Sequence, residues 1–168
     1  MTAKNIKRLP YGNSNFESVM TENYVYVDKT RFIGLLEDES NKYQFFIRPR
    51  KFGKSLFLTM LAHYYDLLRA DRFQELFGGL YIGKNPTPRK NSYAVMEFDF
   101  SGLDTSTPED FKKSFEQNVQ RTACIFLEKY ASVFLQTREL IEQINRTQEG
   151  IGAMRTAFGA ALAAIAAL

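Results

Sequence analysis

The tripeptide Gly53-Lys54-Ser55 constrains this chain most, because of what stands on either side of it. Before it lies Tyr43-Gln44-Phe45-Phe46-Ile47, a short aromatic and β-branched run of strand length whose lack of strict alternation predicts a central strand buried on both faces. After it, from Ser55 to about Ala70, the residues Leu56, Leu58, Met60, Leu61, Tyr64, Tyr65, Leu67 and Leu68 recur three and four apart, which predicts a helix packed on one face. Arg48 to Gly53 reads as the connecting loop. Pro49 pushes Arg48 into an extended conformation and removes a backbone donor, and Gly53 permits close backbone approach.

A glycine at the entry to a helix is suited to hold phosphate. The helix start offers unpaired N–H groups and about half a positive elementary charge, and a residue without Cβ lets the backbone close on an anionic oxygen. On this reading the candidate site is Arg50, Lys51, Phe52, Gly53, Lys54, Ser55 and Leu56. Lys54 reaches the β- and γ-phosphates, the N–H groups from about Lys51 to Ser55 cradle them, and the Ser55 hydroxyl ligates Mg²⁺. The pattern G-x-x-x-x-G-K-[ST] asks for glycine at position 48, where this chain has Arg48. The early half of the cradle is therefore poorer in donors, while Arg50 and Lys51 add mobile charge. The plainer alternative is a basic surface loop that caps a helix.

Upstream, Thr30 is placed to cap a short helix through Leu35-Leu36, and Asn41-Lys42 breaks the pattern. Downstream, Gly78-Gly79 interrupts a helical segment from Phe73 to Ile82, and Gly83 to Asn91 reads as a surface loop. Ala94 to Phe100 predicts a second strand ended by Ser101-Gly102. Thr107 or Ser106 then caps a helix with Pro108 in its first turn and Glu109 and Asp110 favouring the positive end of its dipole. That helix runs through Phe111, Phe115 and Val119 past Cys124 towards Tyr130, and another covers about Leu135 to Ile144. Strand, helix, strand, helix predicts an α/β fold with a mostly parallel sheet flanked by helices. The expected organisation is a segment preceding the loop at 1–42, a core at 43–150, and an alanine-rich tail at 151–168 to which no chemistry is assigned.

Composition narrows the function. At 168 residues the chain can bury a core without a disulfide or metal staple. A net charge of +3 is too mild for a nucleic-acid coat protein, and Phe45, Phe46 and Phe52, interleaved with Arg48, Arg50, Lys51 and Lys54, read as core more than as a base-stacking platform, so direct nucleic-acid binding is not expected. One cysteine, Cys124, and one histidine, His63, make no zinc cluster, and both read as structural. No secretion signal follows the basic N-terminus and no run reaches the ~20 apolar residues of a spanning helix, so a cytoplasmic protein is expected.

Several segments taken in order, Leu9-Pro10-Tyr11-Gly12, Tyr26-Val27-Asp28-Lys29-Thr30, Phe46 to Leu58, Leu76-Phe77-Gly78-Gly79-Leu80-Tyr81-Ile82 and Phe98-Asp99-Phe100-Ser101, resemble the N-terminal half of the bacterial predicted AAA-ATPase-like family. Arginine in place of the first glycine is that family's own pattern. The resemblance implies a P-loop NTPase-like fold, here incomplete, with ATP and Mg²⁺ bound through Gly53, Lys54 and Ser55. It also implies a C-terminal PD-(D/E)xK nuclease-like domain in many full-length members, and oligomerisation in some. The family's acidic Ile-Asp-Glu-Tyr-Asp pair is missing, so hydrolysis is expected to depend on elements outside this chain. Asp99 is the alternative acid, but with Ser101 it is expected to fix a strand end. Tyr26, Asp28, Lys29 and Thr30 are expected either near the base or ribose or in a structural Asp28–Lys29 turn or ion pair. The second functional reading is a non-hydrolysing module that joins a protein or nucleic-acid partner.

Overall fold

The computed structural model describes residues 7–37 and 43–146, together with 156 and 159. Asn41-Lys42 and, apart from those last two residues, the alanine-rich tail lie outside the described residues. The chain divides into two compact units, Met1–Tyr93 and Ala94–Leu168.

The first unit packs short helices around one long one. Helix α1 (Phe16–Thr21) starts where the Asn15 side chain accepts from the Ser18 amide at 3.1 Å. A 3-10 turn (Thr30–Phe32) leads into α2 (Ile33–Leu36), and α3 runs Lys54–Tyr65. A second 3-10 segment (Leu67–Arg72) precedes α4 (Phe73–Phe77) and α5 (Tyr81–Lys84). The core joins Phe16, Ile33, Met60, Tyr64, Phe73, Leu76, Phe77 and Ile82, with the Phe16 and Phe77 rings stacked at 5.0 Å. The Thr59 hydroxyl ties α3 to the start of α1: it donates to the Ser14 carbonyl at 2.7 Å and accepts from the Phe16 amide at 3.2 Å.

Helix α3 stops earlier than the expected Ala70. Asp66 is extended, and its carboxylate accepts from the Leu68 amide at 3.0 Å. The Leu67 amide leaves the helix for the Tyr93 carbonyl at 2.9 Å. A short polar side chain that binds its own downstream amide competes with the helical ladder, so the apolar periodicity continues through a chain that has changed geometry. Thr30 also departs from expectation. It is fully buried, and its hydroxyl donates to Asp28 instead of capping the turn that follows.

The expected α/β fold with a mostly parallel sheet is corrected here. Among the described residues there is no strand, only two isolated bridges, Arg8 with Tyr24 and Asp66 with Tyr93. Residues 43–49 carry strand-type side chains but form no ladder among the described residues, and Tyr43, Phe45 and Ile47 are 90%, 88% and 77% exposed. Residues 94–100 also lack a ladder, and the Val95 amide donates to the Tyr130 hydroxyl at 2.7 Å. β-propensity measures fit to a pleated, half-buried surface; without a paired neighbour the same residues make an extended segment and no sheet.

In the second unit, α6 (Pro108–Lys129) begins as the sequence predicts: the Thr107 hydroxyl oxygen accepts from the Asp110 amide at 3.1 Å, with Pro108 in the first turn. Helix α7 (Thr137–Arg146) packs on it, burying Ile144 with Val119, Ala123 and Leu127. Phe126, Tyr130 and Phe134 close the far end as an aromatic cluster with centroids 5.0 to 5.6 Å apart.

An ionic hub holds α1 to α3 and to the second 3-10 segment. The Glu17 carboxylate meets His63 Nε2 at 3.1 Å, Arg69 at 3.2 Å, and Arg72. His63 Nδ1 lies 2.7 Å from the Thr59 carbonyl, so both ring nitrogens face acceptors. The hydrogen bonds from His63 and Arg72, with the charges of Arg69 and Arg72, hold the Glu17 carboxyl below its ordinary value of 4.5 against the opposing pull of burial. A carboxyl depressed in the folded state contributes stability that is present above its unfolded value and is lost as pH falls through the folded one. Urea unfolding is therefore expected to show stability declining below pH 4.5, and Glu17→Gln should flatten that decline. A variant with the same acid limb as the wild type would remove Glu17 from the account.

Candidate functional site

The loop enters α3 through two left-handed residues, Lys51 at φ 67° and Gly53 at φ 76°. Gly53 adopts this conformation without steric cost, and at Lys51 it is one that side-chain-bearing residues rarely hold. Gly53 occupies the capping position with no side chain to offer. The amides of Lys54, Ser55 and Leu56 consequently have no protein acceptor among the described residues, and the first helical bond runs from the Phe57 amide to the Gly53 carbonyl at 2.9 Å.

Lys54 is folded over its own loop. Its ammonium donates to the Arg48 carbonyl at 2.6 Å and the Pro49 carbonyl at 3.0 Å. Two of its three N–H groups are thus occupied in pinning the loop, and the third has no protein partner among the described residues.

Beside this loop lies a cavity of about 410 Å³, in the range of small-molecule sites. Phe52, Gly53 and Lys54 line it from the loop, and Phe57 from α3. Gln44, Phe46 and Arg48 face it from the extended segment, whose alternate residues Tyr43, Phe45 and Ile47 turn outward. Lys29, Phe32, Leu35 and Leu36 come from the turn and helix upstream. The lining therefore carries three cations with no acid among its described residues, next to an aromatic and aliphatic wall. A cleft lined by one sign of charge within low-dielectric walls concentrates ions of the opposite sign.

The sequence-predicted residues divide around this cavity. Phe52, Gly53 and Lys54 line it. Leu56 packs against the core instead, and the Lys51 ammonium sits 5.7 Å above the Tyr11 ring. Arg50 and Ser55 are exposed and outside the lining. No group of three or more His, Cys, Asp or Glu able to hold a metal occurs among the described residues. The Ser55 hydroxyl accordingly fits Mg²⁺ only as one ligand of an ion that brings its other oxygens with it.

The upstream turn is built firmly. Asp28 accepts from the Thr30 amide at 2.8 Å, the Thr30 hydroxyl at 2.6 Å and the Tyr81 amide at 2.8 Å. Burial pushes its carboxyl up, but these hydrogen bonds and nearby Arg31 bring it below the ordinary range. The Asp28–Lys29–Thr30 turn exists, and no Asp28–Lys29 ion pair forms. Burial and the Asp28 charge raise the Tyr26 phenol to about 12. In the second unit, Asp99 accepts from the Ser101 amide at 2.9 Å, a local turn contact that holds its carboxyl low. Sequence reasoning missed Phe32, Leu35, Leu36, Gln44, Phe46 and Phe57 as site residues. The signal was the alternation of 44, 46 and 48 against 43, 45 and 47, obscured because Phe46 makes Phe45-Phe46-Ile47 read as one continuous apolar run.

The chemistry available at this cavity is that of holding an anion attached to a flat or apolar group. The chain belongs to the predicted AAA-ATPase family, whose pattern matches residues 10–158. It is also similar to the "Uncharacterized protein in vnfD 5'region" of Azotobacter chroococcum mcd 1, at 45% identity over 77 residues, 45% of this chain and 14% of that protein. The chain thus spans about one seventh of the relative's length. No solved structure matches it. Among the described residues no helix is long and apolar enough to cross a membrane.

Proposed function

We propose that the cavity beside the Arg48–Lys54 loop binds ATP, making this chain the nucleotide-binding part of an AAA-like ATPase. The observation that carries this reading is the lining itself: Lys29, Arg48 and Lys54 with no described acid, adjoining Phe32, Leu35, Phe46 and Phe57. Phosphates match the cations and the unpaired first-turn amides, and a base matches the aromatic wall. Membership of the predicted AAA-ATPase family supports the same assignment. Mg²⁺ would arrive on the phosphates and take the Ser55 hydroxyl as one ligand, neutralising charge there.

No described acid is assigned the task of activating water, and hydrolysis is completed in this reading by residues beyond the chain. The second reading, an interaction scaffold without nucleotide, draws on the exposed Tyr43, Phe45 and Ile47. A fluorescent ATP analogue titrated with Mg²⁺ into the 168-residue chain separates the two. Saturable binding with negligible phosphate release is expected. Failure to saturate would overturn nucleotide binding and leave the scaffold, while rapid phosphate release would show that an acid has been overlooked.

A further inference from the structure

We propose that Lys29 is a second phosphate-binding lysine of this site, carried by an element separate from the loop and positioned by Asp28. The inference rests on the nucleotide-binding reading above and adds a residue to it. Lys29 lines the cavity from the turn before α2, whereas Lys54 lines it from the start of α3. It is exposed and makes no ion pair among the described residues, so its ammonium is available to an incoming anion.

The neighbours on either side of Lys29 are fixed. Asp28 is tied to the Thr30 amide and hydroxyl and, 53 positions along the chain, to the Tyr81 amide. Thr30 is fully buried, and its hydroxyl oxygen accepts from the Ile82 amide at 3.2 Å. The backbone of Lys29 is thereby flanked by two residues anchored to the first turn of α5, while its own side chain is exposed. Such anchoring reduces the ordering cost of a charged contact, the usual route by which a preorganised group adds affinity. Asp28 therefore acts as a positioning residue, and its own carboxylate is committed to the turn.

An ammonium that meets the phosphate tail should discriminate ligands by their charge. Dissociation constants for ATP, ADP and adenosine are measured for wild type, Lys29→Met, Lys29→Arg and Lys54→Ala at two salt concentrations. Lys29→Met keeps the apolar stem and removes the charge. It is expected to weaken ATP about tenfold, the size of one hydrogen bond to a charged group, and to leave adenosine unchanged. The penalty should shrink with added salt, and Lys29→Arg should restore most of the affinity. Asp28→Asn should weaken ATP without altering adenosine, because it loosens the turn that carries Lys29.

Wild-type affinity for ATP in Lys29→Met, with Lys54→Ala impaired, would overturn the role of Lys29 and leave the site intact. An equal loss for adenosine and ATP would also overturn it, by showing that the ammonium acts on the nucleoside and not on the phosphates. No ATP binding by the wild type would instead overturn the nucleotide reading itself. Circular dichroism of each variant checks that the turn has not unfolded; should Lys29→Met fail there, Lys29→Gln carries the same comparison.

Discussion

Lys54→Ala is expected to weaken ATP binding by about tenfold to a hundredfold, and Lys51→Ala by several times less. The magnitude follows from hydrogen bonds to charged groups, worth ~1.5–3 kcal/mol, at ~1.4 kcal/mol per tenfold. The order follows from geometry. Lys54 lines the cavity and is held there by the Arg48 and Pro49 carbonyls, whereas Lys51 points to Tyr11. Alanine at 54 removes a charge and also releases the loop, so two losses combine at one residue. Isothermal titration of the two variants checks the ranking. The reverse order would move the site away from the start of α3.

Gly83→Ala is expected to be among the most destabilising single substitutions in the first unit. A Cβ at this position would run into the Phe77 carbonyl oxygen and lie 2.9 Å from the Gly78 Cα, which are backbone atoms that cannot swing aside. Relief requires α5 to move off α4. Such a shift pulls the Tyr81 and Ile82 amides away from Asp28 and Thr30, so overpacking and lost hydrogen bonds act together. Overpacking alone costs ~1–3 kcal/mol. A unit of this size loses roughly 4–8 °C of melting temperature per kcal/mol. Differential scanning calorimetry reads the change directly, and an unshifted transition would mean that α4 and α5 are not packed as described.

These two positions show what the sequence did and did not reveal. Gly53 ahead of Lys54 was legible as the entry to a helix, because such a boundary has a local cause, and α3 does begin at Lys54. Thr107 and Pro108 were legible for the same reason: caps depend on near neighbours. The close approach of Gly83 to Phe77 was not, since it is set by how two short helices fold back on each other. Nor was the end of α3, where the Leu67 amide exchanges a helical bond for the Tyr93 carbonyl, 26 positions away.

The parallel sheet was the largest misreading. Phe45 and Ile47 have the side chains of a buried strand, yet pairing is a property of two segments, and the pattern of one segment cannot supply the other. Of the seven loop residues expected at the site, Phe52, Gly53 and Lys54 line the cavity, whereas the apolar wall comes from Phe32, Leu35 and Leu36, which read simply as helix residues.

The most direct test is backbone amide NMR of the isotopically labelled chain during an ATP titration. The Lys54, Ser55 and Leu56 amides, which have no protein acceptor among the described residues, should move downfield as they bind phosphate oxygens, with smaller shifts around Lys29 and Phe46. Saturating shifts confined to other parts of the chain, with these three amides unmoved, would contradict the account.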